Sequence, residues 1–388
     1  MPRRRQSALE AYAQIAGLSL LMLAILAGAG MVARQTLFGS VTQTYYDQTY
    51  SPIAIDPTLV GSPPAEAHLA DVPWYSTDQL LGPVSSLRMV AARQGTAVSD
   101  AAASFLMGYT YGARHYTGLT LYPFPDADAG QDAAAPALGL KRLYYKTDAA
   151  DLYLRAIRQE VARGRPVYVS LDRAKLVGGP GPIPNGVLVV GYDSGHLYYY
   201  ETTCDGATPC QAGDRAPGER GVSLADDAFL GAVESWSKAA EYPWRYGYGL
   251  FEAGAKSENL AGALRRNGQL LAGQFQTGPI QGARAVESVA DLLERSAGKP
   301  EIDGLVIGLE AAGPARLSSA SYLRVTFPSV GAVAAAADQL DRSAASYSLA
   351  LAALRAGRSQ SDVSAAASRL REAAAADRAA GELLAGVQ

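Results

Sequence analysis

Cysteine and histidine are scarce in this sequence, with two cysteines and three histidines among 388 residues. The histidines (His68, His115 and His196) are far apart in the chain, and with two thiols they do not form the compact ligand set that zinc requires. We therefore expect no metal site and no cofactor.

The sequence also lacks an excess of either charge, since it has 34 basic side chains and 37 acidic ones. This near balance excludes the basic surface typical of nucleic-acid-binding proteins, so we expect no nucleic-acid partner.

Charged side chains are absent from residues 11–33, which are mostly Leu, Ile, Ala, Gly and Met. A helix over these residues would be about 34 Å long, enough to cross a hydrocarbon core of about 30 Å. Arg3, Arg4 and Arg5 precede the segment and predict a cytoplasmic N-terminus, residues 1–10. The sequence thus predicts a single-pass membrane protein that contacts lipid through residues 11–33, with its main domain outside the cytoplasm. A cleaved signal peptide is the alternative, and it would export the same domain.

The two cysteines, Cys204 and Cys210, are separated by Asp-Gly-Ala-Thr-Pro. In an oxidising compartment such a pair across a turn most simply forms a local disulfide. A metal-binding pair is the alternative, although the scattered histidines offer it no further ligands.

Residues 34–73 form a predicted linker and lead-in, because Pro52, Pro57, Pro63 and Pro64 discourage regular structure. This segment also contains Tyr45, Tyr46 and Tyr50. They suit an interfacial belt at the lipid headgroups or packing against the following domain, and the sequence does not decide between the two.

Residues 74–255 are predicted to form an α+β domain with a small antiparallel sheet. Apolar spacing and stop signals predict helices over 85–94, 100–107 and 148–163, and a further helix capped by Ser223 that runs towards Trp236. Strands are predicted over 166–171, 186–192, 196–202 and 246–251. The turn residues 193–195 predict a hairpin between the second and third of these strands.

Residues 256–388 are predicted to form a helical C-terminal domain. Helices are expected over 259–271 and 282–295, with a short apolar segment over 305–309. Two alanine-rich helices over 333–354 and 362–384 have apolar residues at helical spacing and predict a helical hairpin.

The motif from Gly82 to Gly95, with Ser86-Leu87 near its start, resembles the opening helix of papain-like domains related to butirosin biosynthesis protein H and, more distantly, to bacteriocin-processing peptidases. The segment from Gly164 to Asp172 is similar to the family's Gly-x-Pro-Val strand. The segment from Asn185 to Asp193 is similar to its strand ending in Gly-Tyr-Asp. This order of motifs covers most of residues 74–388 and implies a papain-like fold, with acyl transfer or peptide hydrolysis through a thioester.

Residue by residue, the resemblance implies that this chemistry has been lost. Gly82 stands where the family has its nucleophilic cysteine, and Asn185 stands where it has the histidine base. Glu201 falls at or near the position of the orienting carboxylate, Gln79 could donate to an oxyanion, and Ser86 matches a helix serine of the family. These five residues would line a vestigial groove, with no catalytic residue among them.

We therefore expect a pseudoenzyme that acts as a binding module for a protein or peptide-like ligand, or as a subunit of a membrane-associated complex. The alternative is an active acyltransferase or peptidase that uses other residues of the same fold. A purely structural envelope protein is a third possibility. A structure discriminates among them by whether a groove is open beside Gly82, Asn185 and Glu201.

Overall fold

The computed structural model describes residues 45–77, 81–116, 118–179, 182–202, 221–274 and 280–387. The predicted anchor over 11–33, the predicted disulfide between Cys204 and Cys210, and Gln79 lie outside the described residues. Within the described ranges, no helix is both long enough and apolar enough to cross a lipid bilayer.

An eight-stranded sheet forms the centre of the molecule, in the order β1-β4-β9-β5-β6-β7-β8, while β2 pairs with β6 beyond the end of β5. β1 is parallel to β4, and the other pairings are antiparallel. β3 and β10 form a separate two-stranded ladder. The strands are β1 Ile53–Ala54, β2 Ala67–His68, β3 Arg114–His115, β4 Leu140–Thr147, β5 Val167–Asp172, β6 Pro184–Tyr192, β7 His196–Tyr200, β8 Val222–Ala225, β9 Tyr246–Ala253 and β10 Ile280–Gln281.

The prediction of an α+β domain with a small antiparallel sheet is therefore wrong, because the fold is mixed α/β around a large mixed sheet. β1 and β2 have only two residues each, which is too short to display the alternation that identifies a strand. β4 does alternate, but its buried positions include Arg142 beside Leu140 and Tyr144. Because arginine is not an apolar residue, a search for alternating apolar residues does not detect this strand.

Besides the 3₁₀ helix Ala135–Leu138, eleven α-helices with defined bounds lie in the described ranges. They are α1 Gly82–Arg93, α2 Asp100–Met107, α3 Ala127–Ala134, α4 Ala150–Ala162, α5 Ala174–Val177, α6 Asp226–Ala239, α7 Leu260–Ala272, α8 Gly282–Leu293, α9 Ile302–Thr326, α10 Gly331–Ala356 and α11 Gln360–Ala385. A further helical segment spans 45–50. The main apolar core lies between the sheet and helices such as α1, α4 and α6.

The described part of the predicted linker, residues 45–73, is integrated into the fold. β1 and β2 belong to the sheet, and Tyr45, Tyr46 and Tyr50 are buried in an aromatic cluster with Tyr144 and Trp244. Packing against the domain, one of the two alternatives for these tyrosines, is therefore what the structure has.

Two predicted helices differ in extent from those observed. The apolar segment over 305–309 lies inside α9, a helix of 25 residues that contains Pro314. Glycine and proline residues along α9 conceal its length, because they are normally signals of a break. Ser223 lies in β8 and does not cap α6, which begins at Asp226.

A buried arginine joins the C-terminal helices to the rest of the molecule. The Arg316 guanidinium on α9 makes two hydrogen bonds to Asp377 on α11, of 2.9 and 2.8 Å, and also donates to the carbonyl oxygens of Thr110 at 2.7 Å and Gly112 at 3.1 Å. Both charged side chains are fully buried. Because its partners come from α11 and from the loop after α2, Arg316 fixes the helical hairpin against the α/β part.

Candidate functional site

The start of α1 lies directly against β6, and this α1–β6 contact brings together Gly82, Ser86 and Asn185. Gly82 is buried at the first position of α1, and a Cβ built on it would be 2.6 Å from the Gly186 carbonyl oxygen and closer still to Asn185 Oδ1. The Ser86 hydroxyl donates to the same Gly186 carbonyl oxygen at 3.4 Å. The Asn185 side chain and the Gly186 backbone of β6 therefore occupy the space in which a side chain at position 82 would lie.

Glu201 completes the cluster from the end of β7. Asn185 Nδ2 donates to both Glu201 carboxylate oxygens, at 3.5 and 3.4 Å, and Glu201 Oε1 also accepts from the Thr202 backbone N–H at 2.9 Å. Asn185 and Glu201 are 2% and 1% exposed. Four of the five residues predicted to line the groove thus lie close together and are buried, and the fifth, Gln79, is outside the described residues.

Tyr168 packs against Gly186, the residue after Asn185. It is fully buried on β5, and its hydroxyl would be 2.5 Å from a Cβ on Gly186, with Pro83 at 2.8 Å. Only glycine at 186 therefore allows β5, β6 and α1 to approach each other this closely.

The histidines have other surroundings. His115 Nε2 contacts the Gly118 carbonyl oxygen at 2.9 Å, and His196 Nδ1 lies 3.2 Å from Asp193 at the exposed β6–β7 turn. His68 lies in β2, beside Gly191. In the described ranges, no hydrogen bond joins a histidine to Ser86 or Asn185.

A buried network of acidic, basic and phenolic side chains lies beyond Asn185, and the sequence reading missed it. Asp126 caps α3 by accepting the Ala129 N–H at 3.1 Å. Its carboxylate also accepts from Tyr50 Oη at 2.6 Å and from Arg114 Nη1 at 3.1 Å. The tyrosine comes from the 45–50 segment and the arginine from β3, so Asp126 connects three separate parts of the chain.

Asp128, in the first turn of α3, forms the second half of this network. Its carboxylate binds the Arg142 guanidinium of β4 and accepts from Ser170 Oγ at 2.9 Å and from Tyr242 Oη at 3.4 Å. Burial raises the pKa of Asp128 to about 6, against the opposing attraction of Arg142. The Tyr50 and Tyr242 hydroxyls are 3.1 Å apart and link the two halves.

A small cavity lies between this network and the α1–β6 contact, lined by Asp128, Ser170, Tyr168, Asn185 and Pro83 together with aromatic and proline side chains. The volume open to the centre of a water molecule is ≈ 10 Å³, which is room for about one water. The cavity itself can hold one water beside Asp128 and has no room for an acyl group or a peptide.

In the described ranges, no group of three or more His, Cys, Asp or Glu side chains could hold a metal ion. The acidic side chains of the network are satisfied by Arg114, Arg142 and hydroxyl donors, so they are not arranged as an open ligand shell.

Comparison with known proteins adds no family assignment, because no protein-family model and no curated protein matches the chain. The resemblance to papain-like proteins therefore remains a prediction.

Proposed function

We propose that this protein is a non-catalytic binding module or subunit of a membrane-associated complex, descended from a papain-like enzyme and held at the membrane by residues 11–33. The observation that carries the proposal is the closed α1–β6 contact. The positions assigned to a thiol and an imidazole hold Gly82 and Asn185, and the Asn185 side chain together with the backbone of Gly186 fills the space beside Gly82.

The chemistry of the remaining groups supports the same proposal. Thioester formation needs a nucleophile beside a group that accepts its proton, and the amide of Asn185 does not accept a proton near neutral pH. Ser86 donates to a backbone carbonyl, which leaves its hydroxyl proton without a base. A fold that has lost these groups can still serve through its surface.

One observation favours the alternative of an active acyltransferase or peptidase. The Ser170 hydroxyl donates to Asp128, whose raised pKa of about 6 suits a general base. Ser170 is partly exposed, but the cavity between it and Asn185 has room for only about one water.

A hydrolysis assay on the purified full chain tests the proposal against this alternative. With p-nitrophenyl acetate over a range of pH, we expect wild type, Asp128→Asn and Ser170→Ala to give the same slow background rate. A rate above background in the wild type that either substitution abolishes would contradict the proposal.

Membership of a complex needs a separate measurement. In gently solubilised native membranes, we expect the chain to migrate in native electrophoresis well above its own mass of 40.6 kDa. A chain that migrates as a single copy under conditions that preserve other membrane complexes would argue against a subunit role.

A further inference from the structure

A second and larger cavity lies on the far side of α3, between α2, α7 and the 45–50 segment. The volume open to water centres is ≈ 150 Å³, comparable to an engineered protein cavity that binds benzene. Its walls are mostly apolar, with Met107, Pro125 and Leu270 among them, and Arg266 is its basic residue.

Arg266 is partly buried, and its partners differ from those of the buried arginines Arg114, Arg142 and Arg316. Arg114, Arg142 and Arg316 each bind an aspartate. In the described ranges, no carboxylate lies within ion-pair distance of Arg266. Its Nε, like those of Arg114 and Arg142, is buried without a hydrogen-bond acceptor. Burial lowers the pKa of Arg266 to about 10, with no neighbouring charge to offset the effect.

Capping of α2 uses only part of the hydrogen-bonding capacity of the Arg266 side chain. Arg266 Nη2 donates to the Leu106 carbonyl oxygen near the end of α2, and the adjacent Asn267 Nδ2 donates to the Phe105 carbonyl oxygen at 2.9 Å. A guanidinium carries five N–H donors. Since a partly buried cation without a counter-ion gains from a nearby negative charge, the cavity beside Arg266 is suited to an anion.

We propose that this cavity binds a small monocarboxylic acid with a compact apolar body, whose carboxylate pairs with Arg266. The planar fork of a guanidinium matches a carboxylate in two parallel hydrogen bonds, and the apolar body lies against Met107, Pro125 and Leu270.

The negative charge of Asp126 next to the cavity favours a ligand that carries a single negative charge. Asp126 lines the same space, but its carboxylate is already held by Arg114 and Tyr50. A dianion would place a second charge near Asp126 with no cation to neutralise it. The site thus favours a monocarboxylate over a phosphate or a dicarboxylate.

Benzoate and benzamide are matched probes, because they share size and shape and differ in charge. By calorimetry on the full chain near neutral pH, we expect benzoate to bind at least about tenfold more tightly than benzamide. Equal affinities, or no benzoate binding up to millimolar concentrations, would overturn the proposal.

Three variants test separately the contributions of the Arg266 charge and of the apolar cavity to binding. Arg266→Met should remove the preference for benzoate, whereas Arg265→Met, on an exposed neighbour of the same helix, should leave it unchanged. Ala129→Phe should fill the cavity and abolish binding of both probes while Arg266 is retained. A preference for benzoate that survives Arg266→Met, or binding unchanged in Ala129→Phe, would refute the site. The inference goes beyond the proposed function, because it assigns a ligand class to a different cavity. Binding of the probes and hydrolysis of the ester are measured separately, so either proposal can fail without the other.

Discussion

Asp128 is a carboxylate that the fold removes from water, although it has an arginine partner. Its pKa rises to about 6, mainly because burial disfavours the charged form more than Arg142 favours it. Its ordinary value is near 3.8. In the pH interval between these values the folded protein binds more protons than the unfolded chain, so this group destabilises the fold increasingly as pH rises.

The substitution Asp128→Asn tests this linkage. The protonated form of Asp128 is the one that the fold favours. Its contribution to stability is fully present below about pH 4 and is lost as pH rises through about 6. The stability of the wild type relative to Asp128→Asn should therefore fall between pH 4 and pH 6 and be constant above about pH 7. Urea unfolding of both proteins at several pH values measures the difference. A difference that rises with pH would mean that the carboxylate prefers its charged form in the fold.

Single residues differ in how far the sequence reveals them. Gly82, Ser86, Asn185 and Glu201 could be grouped in advance, because they occur in motifs whose order implies that one strand faces one helix. Asp126, Asp128 and Arg316 could not. Their burial depends on partners far along the chain, such as Tyr242 and Asp377, and nothing local distinguishes them from exposed charges.

Helices α7 and α11 cross closely because each has a glycine at the crossing. A Cβ on Gly268 would be 2.5 Å from the Gly381 carbonyl oxygen, and a Cβ on Gly381 would be 2.5 Å from the Gly268 carbonyl oxygen. Gly381→Ala should therefore force the helices apart and lower the free energy of unfolding by about 1–3 kcal/mol.

Gly304→Ala on α9 is the matched control for this crossing. Its Cβ would have Thr120 Oγ1 as its nearest neighbour, at 3.9 Å, so the exchange should stabilise the helix by up to about 1 kcal/mol. Urea denaturation compares the two variants. Equal effects would show that the crossing has room for a methyl group.

Helices and strands could be predicted best from the sequence where the periodic pattern of apolar residues is long. The predicted helix over 148–163 corresponds to α4, and the predicted strands over 186–192 and 196–202 correspond to β6 and β7. The alanine-rich helices of the predicted hairpin correspond to α10 and α11. The short strands β1 and β2 gave no signal, because their pairing depends on neighbours brought together by the whole fold.

The whole molecule should unfold as one unit if Arg316 couples its parts as described. All three tryptophans, Trp74, Trp236 and Trp244, precede residue 256, whereas the long C-terminal helices contribute much of the helical circular dichroism. Tryptophan fluorescence and far-ultraviolet dichroism should therefore report one coincident transition. Separate transitions would show that the two parts fold independently.

Replacing Arg316 tests the coupling directly. Arg316→Met leaves Asp377 buried without its cation and should cost about 3–5 kcal/mol, shifting both signals together. Arg324→Met is the control, because Arg324 pairs with Asp338 and Asp341 at an exposed surface. Its removal should cost no more than about 1 kcal/mol. A small effect of Arg316→Met would mean that the arginine is not a joint between the parts.

The most direct test of the closed α1–β6 contact is the reactivity of a thiol placed at position 82. In a chain carrying Cys204→Ser and Cys210→Ser, we expect Gly82→Cys to be destabilised by about 1–3 kcal/mol and to react with thiol reagents only as fast as the protein unfolds. Gly231→Cys, at an exposed helix position with open space around its Cβ, should react at once in the native state. Rapid native labelling of Gly82→Cys, with a thiol pKa below its ordinary value, would contradict the account.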